Sequence, residues 1–141
     1  MIKYAVRGKI DARELDCFFQ SWKSPPCLKI GRKLLKGSDL IITARGNGHL
    51  VGFLTAVSDK AMIALISLVE VLESHQGKGI GRRLMELAIS HYKNFYQIVL
   101  ITDPDKGRFY EKLGFTEIHG MQIQNFAYGK TIRKQSGKSG K

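Results

Sequence analysis

Gln76, Gly77, Lys78, Gly79, Ile80 and Gly81 form the stretch best suited to chemistry in this chain of 141 residues. Glycines at that density let a backbone come close to a ligand. The stretch lies between a continuous apolar run, Ala61 to Leu72, and an amphipathic segment, Ile80 to Lys93. It therefore reads as a bend from a buried strand into the start of a helix. The N–H groups at a helix start lack intrahelical partners and, with the helix dipole, favour an anion such as a phosphate. Lys78, Arg82 and Arg83 add full positive charges nearby. The same glycines also suit a plain strand-to-helix turn, and the block alone does not separate the two readings.

Other reactive side chains are sparse. Cys17 and Cys27 are separated by nine residues and form no C-x-x-C, which suits free thiols in a reducing compartment. His49, His75, His91 and His119 show no ligand spacing, so no metal site is expected.

The elements that must position the glycine block follow from periodicity and turn signals. Ile2 to Arg7 alternates as a first strand. Asp11-Ala12-Arg13-Glu14 is a capping-box pattern opening a helix with an apolar face of Ala12, Leu15, Phe18, Phe19 and Trp22. Pro25-Pro26 stops it, and Leu28 to Lys36 forms a second helix ending at Gly37. Leu40–Ala44 and His49–Val57 flank Asn47-Gly48, a hairpin signal, and Ala61–Leu72 completes an antiparallel meander. The helix from Ile80 carries Ile80, Leu84, Leu87, Ala88 and His91 on its apolar side, with Arg82 and Glu86 placed to pair. Gln97 to Thr102 is nearly all apolar, the mark of a strand buried on both faces and joined in parallel through the preceding helix. Asp103-Pro104 caps a short helix that runs to Leu113 and ends at Gly114, and Phe115–Ile118 and Met121–Tyr128 finish the sheet. The fold class is α/β, a single-domain mixed, mostly antiparallel central sheet of six to seven strands flanked by about four helices.

Composition is that of an ordinary globular domain, 43% hydrophobic and 25% charged. No segment reaches the roughly 18 apolar residues of a membrane span. Met1-Ile2-Lys3-Tyr4 opens no signal-peptide core, so a cytoplasmic location is expected. The formal net charge of +11 includes five cations between Lys130 and Lys141, and without them +6 remains. Residues 130–141 read as a basic, disordered tail after a domain spanning residues 1–129. Basic charge fits a phosphorylated cofactor or nucleic acid.

In the order β-α-α-β-β-β-α-β-α-β-β, Gln76-x-x-Gly79-x-Gly81 resembles the acyl-CoA signature Q/R-x-x-G-x-G/A of the GNAT superfamily of N-acetyltransferases. Phe109-Tyr110-Glu111-Lys112-Leu113-Gly114-Phe115 independently resembles that family's later F-Y-x-K-L-G-F segment, at the usual separation, and the resemblance spans residues 1 to 128. A looser similarity links Trp22–Pro26, Val69-Glu70-Val71-Leu72 and Gly120-Met121 to a subgroup with plant arylalkylamine N-acetyltransferases and bacterial relatives, and leaves the acceptor open.

The resemblance implies acetyl-CoA as cosubstrate, its pyrophosphate on the N–H groups of Gly77 to Arg82 (Gly77, Lys78, Gly79, Ile80, Gly81 and Arg82, with Gln76 ahead of them). It implies pantetheine paired with main-chain groups at Val69 and Val71, with an N–H near Val71 for the oxyanion. It also implies direct transfer to a bound amine, and Tyr110 matches the family's general acid by position. A primary amine with pKa near 10.4 is only about 0.04% neutral at pH 7, a deficit of roughly 4.6 kcal/mol. Glu70 is the first candidate base, followed by Glu73 and His75; a solvent-facing carboxylate is the competing reading of Glu70, and His119 is a weaker pocket candidate. Asp103 stands where the family commonly has Asn, and Lys106 where it has Ala, which bears on cofactor contact. The expected acceptor is a small-molecule or peptide amine, with no membrane partner, nucleic acid unfavoured and a homodimer open.

Competing classes fit less well. Gly77, Gly79 and Gly81 give G-x-G-x-G with Arg82 where a dinucleotide fingerprint needs its last glycine, and no P-loop is present. A basic nucleic-acid-binding module, or an acyl-CoA-binding protein without catalysis, remains the alternative.

Overall fold

The computed structural model describes residues 1–19, 22, 25–125 and 127. Five strands form one sheet in the order β1-β2-β3-β4-β5: β1 (Ile2–Val6), β2 (Leu40–Gly46), β3 (His49–Ser58), β4 (Ile63–Val71) and β5 (Gln97–Leu100). The first four pair antiparallel and β5 joins β4 in parallel. Asn47 and Gly48 turn the β2–β3 hairpin with φ of 52° and 81°, both positive as a tight primed turn requires. Helices α1 (Leu28–Gly37), α2 (Ile80–His91) and α3 (Gly107–Glu111) join short 3₁₀ segments at Ala12–Cys17, Glu73–His75 and Pro104–Lys106.

The sheet is covered on both faces. Helix α2 lays Ile80, Leu84, Met85 and Ala88 against Leu40, Ile42, Leu54 and Ile66. Gly52 lets it come close, because a Cβ there would lie 3.1 Å from the Ile80 side chain and 3.2 Å from the Glu70 carbonyl. Across the sheet, Ala12, Leu15, Phe18, Phe19 and Leu35 close over Phe53. Burying side chains of this size is worth about 1.5–3 kcal/mol each. At the far end of α2, the buried Tyr92 donates to Asp39 Oδ2 at 2.9 Å, and Asp39 also accepts from Ser58 and Lys60.

Four expectations need correction. The first helix is only a 3₁₀ segment, although its capping box forms as the pattern predicts. Phe18 is extended and Phe19 has φ of 63°, a conformation that costs a non-glycine residue about 1–2 kcal/mol. The gain is that consecutive rings both reach Phe53, at centroid distances of 5.0 and 6.2 Å, which a helix would not allow. The helix expected to run to Leu113 is instead the 3₁₀ turn followed by α3, and Asp103 makes no side-chain cap bond. β5 is four residues long and half-buried, where burial on both faces was expected. Finally, Phe115–Ile118 and the described part of Met121–Tyr128 form no strand, so the sheet has five strands among the described residues, short of six to seven. Residues 130–141 lie outside the described residues.

Candidate active site

The central feature is a gap between β4 and β5. Their pairing runs only from Ile63↔Gln97 to Ile66↔Leu100. The next residue, Ser67, is extra in the β3–β4 register, since Ala56 pairs with Ile66 and Thr55 with Leu68. A bulge bends a strand and increases its twist. This one is pinned by the Thr55 Oγ1···Ser67 Oγ contact at 2.8 Å and by Ser67 Oγ donating to the Thr55 carbonyl at 3.1 Å. Beyond it β4 continues to Val71 alongside β3 alone, and the chain after β5 turns away.

The main chain facing this gap can be assigned. Leu72 N–H donates to the Val51 carbonyl at 2.9 Å, so the antiparallel alternation points the Leu68 and Glu70 main chain at β3 and that of Val69 and Val71 at the gap. Gln76 Nε2 donates to the Val71 carbonyl at 3.1 Å, which confirms that orientation and ties the glycine bend to the end of β4. Gln76 is thus a brace for the bend, through a bond that nothing in the residue order signals.

The bend itself meets the requirements of an anion cradle. Gly77 and Gly79 have φ of 76° and 84°, and nothing lies within 4 Å of a Cβ built on either. Gly79 is the N-cap of α2 without a side-chain cap bond, so no cap side chain takes up the first N–H groups of α2. Lys78, Arg82 and Arg83 flank it, and both arginines also reach Glu86, at 3.3 and 3.7 Å. Gly81 faces both Val71 and Phe109, each 3.8 Å from where its Cβ would be. The cradle, the strand end and α3 therefore converge.

Two titratable groups near the gap are shifted from their ordinary values. Glu70 is desolvated by burial, which pushes its carboxyl above the usual range, and Lys106 partly opposes that shift. Tyr110 is raised above 10.0 by burial and then by the Glu70 charge. Its ring packs edge-on to Phe109 and Phe115. Among the described residues neither Glu70 nor Tyr110 makes a side-chain hydrogen bond, so both can serve a ligand. The Lys106 charge, from the turn before α3, therefore reaches Glu70 as well.

The remaining candidates are less central. Asp103 is exposed where the chain leaves β5. Glu73 borders an open cleft of about 380 Å³ with Cys17, Leu72 and Ser74, on the sheet face that carries Glu70. Cys17 and Ser74 had no signal in the sequence, because the fold alone brings them together. His75 shares a contact of 2.8 Å with Ser74 Oγ. His119 is exposed beyond α3. Among the described residues no cluster of three or more metal-ligating side chains occurs, and no helix is long and apolar enough to cross a membrane.

Known proteins resemble this chain in sequence and in fold. The N-acetyltransferase ycf52 of Pyropia yezoensis, itself uncharacterized, is 33% identical over 105 residues, covering 70% of this chain and 60% of that protein. Its counterpart in Porphyra purpurea has the same identity and coverage. The chain therefore spans about 60% of the length of these curated relatives. A GNAT family acetyltransferase from Streptococcus pneumoniae TIGR4 superposes with a TM-score of 0.78 at 25% identity, covering 89% of this chain and 98% of its own. A ribosomal-protein-alanine N-acetyltransferase from Brucella melitensis biovar Abortus 2308 shares the fold at a TM-score of 0.68 and 22% identity, over 89% of this chain and all of its own. Residues 37–117, more than half of the chain, match the acetyltransferase (GNAT) domain model, and the chain belongs to that family.

Proposed function

We propose that the protein is an N-acetyltransferase that moves an acetyl group from acetyl-CoA to a primary amine by direct attack in the β4–β5 gap. The observation that carries this reading is the gap itself, opened where the β4–β5 pairing ends at Ile66↔Leu100, with the Glu70 charge raising the Tyr110 hydroxyl beside it. Acetyl-CoA would supply an activated thioester. The amides from Gly77 to Arg82 suit its pyrophosphate, and the Val69 main chain and the Val71 N–H, which face the gap, suit its pantetheine arm. The Val71 N–H faces the gap, where it would stabilise negative charge on the reacting carbonyl oxygen.

Glu70 takes the amine proton. Full transfer from an amine at 10.4 to an ordinary carboxylate is uphill by about six units, roughly 8 kcal/mol, and each unit that burial adds to Glu70 removes about 1.4. Tyr110 returns a proton to the departing sulfur. A phenol above 10 giving a proton to a thiolate near 8.5 is uphill by at least about 2 kcal/mol. The Glu70 charge is one cause of the raised Tyr110 value. Once Glu70 is protonated that contribution disappears, so Tyr110 becomes a stronger acid when the sulfur needs the proton. The cleft beside Glu73 is the acceptor entrance, wide enough for a small amine or a peptide end. A cytoplasmic setting and a domain of residues 1–129 complete the proposal.

The test is thiol release from acetyl-CoA over a panel of primary amines, with a thermal-shift arm. Acetyl-CoA well above its Kd should raise Tm, NADH at equal concentration should not, and at least one amine should turn over. Stabilisation by NADH alone would reject the cosubstrate, and acetyl-CoA binding without turnover of any amine would leave a binding protein.

A further inference from the structure

Helix α1 carries Lys29, Arg32, Lys33 and Lys36 and no acidic residue. Their helical spacing places all four on one face, and all four are exposed. Among the described residues none of them makes a salt bridge. The Arg32 charge acts on Asp11, but that carboxylate is already held by Arg13 at 2.9 Å. This arrangement works against the helix. Lys29 lies in the first turn, where the helix dipole disfavours a cation, and like charges three and four residues apart repel. Leu35, with Leu28 and Leu34 beside it, still fixes α1 on the cluster around Phe53, so the cations stand on a firm platform. A row of negative charges laid along this face would relieve the repulsion.

That face stands beside the acceptor cleft. Gly31 of α1 packs on the 3₁₀ segment Ala12–Cys17, where a Cβ on Gly31 would lie 3.4 Å from the Leu15 side chain. Cys17, the last residue of that segment, lines the cleft with Leu72, Glu73 and Ser74. Helix α1, the cleft and Glu70 all lie on the Phe53 face of the sheet. The surface is therefore dipolar: carboxylates at Glu70 and Glu73, then cations on the order of one helix diameter, 10 Å, away. A nucleic acid brings no aliphatic amine, and its phosphates would meet those two carboxylates. A peptide that leads with an ammonium and continues in carboxylates matches both parts. An α-amino group also suits a carboxylate base, being roughly 10% neutral at pH 7 against about 0.04% for an alkylamine.

We infer that the acceptor is the amino terminus of an acidic peptide segment, whose carboxylates dock on the Lys29, Arg32, Lys33 and Lys36 face of α1. This inference rests on the acyl-transfer reading and adds the acceptor class to it. An extended chain advances about 3.3 Å per residue, so residues four to seven of such a peptide lie about 10 to 23 Å from its amine. The cation row from Lys29 to Lys36 is itself about 10 Å long.

Thiol release from acetyl-CoA with short peptides tests it, residues four to seven being all glutamate, all glutamine or all lysine. For the wild-type chain, kcat/KM should favour glutamate over glutamine by about tenfold and glutamine over lysine, since exposed ion pairs give up to about fivefold each. At about 1 M salt most of the difference should vanish, because charges are screened within about 3 Å. The combined variant Lys29→Gln, Arg32→Gln, Lys33→Gln and Lys36→Gln should lose the glutamate preference. Its melting temperature should be no lower than that of the wild type, because the like-charge neighbours are gone. A preference that persists in the variant, or none in the wild type, would overturn the inference. Tighter wild-type binding of single-stranded RNA than of the glutamate peptide would also overturn it and make α1 a nucleic-acid surface. Turnover of small amines but of no peptide would overturn it alone, whereas turnover of no amine at all would overturn the acyl-transfer reading with it.

Discussion

Replacing Tyr110 by phenylalanine removes one oxygen atom and leaves the ring contacts with Phe109 and Phe115, at centroid distances of 5.0 and 6.0 Å, in place. The hydroxyl makes no hydrogen bond among the described residues, so unfolding free energy should change by less than about 0.5 kcal/mol. Turnover should respond differently. Without a proton donor the sulfur leaves as a thiolate, which at pH 7 lies about 1.5 units, or roughly 2 kcal/mol, above the thiol. That sets a loss in kcat of at least about 30-fold, and general acids contribute up to about 10⁴-fold. The KM for acetyl-CoA should stay within about threefold, because the amide cradle is untouched. Initial rates of thiol release at varied acetyl-CoA, repeated from pH 6 to 10, measure both parameters. Above about pH 8.5 a released thiolate needs no proton, so the wild-type advantage should narrow. A kcat within threefold of wild type, or a deficit independent of pH, would return Tyr110 to a packing role.

Other outcomes follow from the same geometry. Burial raises the Glu70 carboxyl, so the rate should rise with pH through a value above 4.5, and Glu70→Gln should abolish that limb; an unaltered profile would move the base elsewhere. Gly79→Ala meets no steric neighbour but must hold φ near 84°, costing about 1 kcal/mol by urea unfolding and raising the KM for acetyl-CoA about tenfold. Ser67→Ala strands the buried Thr55 hydroxyl and should cost about 1–2 kcal/mol; adding Thr55→Val should recover part of it, and simple additivity would mean that the two groups are uncoupled. Lys60, then Ser58 and Tyr92, hold Asp39 near 2 against an ordinary 3.8, so its stabilisation is complete above about pH 4 and is lost as pH falls toward 2. With Lys60 largely in solvent, that contribution is about 1 kcal/mol, and acid titration of Tyr92→Phe should show it reduced.

Much of this architecture is legible in the amino-acid order. Asn47-Gly48 specifies its turn because few other pairs tolerate two positive φ values, and the spacing of Ile80, Leu84 and Ala88 specifies the buried face of α2. Gln76 to Gly81 and Tyr110 are also visible, because unusual residue types stand at fixed spacings. Phe18 and Phe19 mislead because a helical period describes preference along the chain, whereas Phe53 lies across the sheet and draws both rings toward it. Gln97–Thr102 misleads for a related reason: apolar character states what a strand must bury without stating which chain buries it. The β4–β5 gap left only a faint trace, Ser67 within an otherwise apolar run. Only the register shows that this serine is the extra residue. The approach of Lys106 to Glu70 left none, since 36 residues of chain separate them.

In the proposed function the open amides after Gln76 grip the diphosphate of acetyl-CoA. Titrating the ¹⁵N-labelled protein with acetyl-CoA and following each backbone amide tests it most directly. Saturable shifts should concentrate at Gly77 to Arg82 and at Val69 and Val71, with no such pattern from NADH. Saturation that leaves those amides in place while moving others would contradict it.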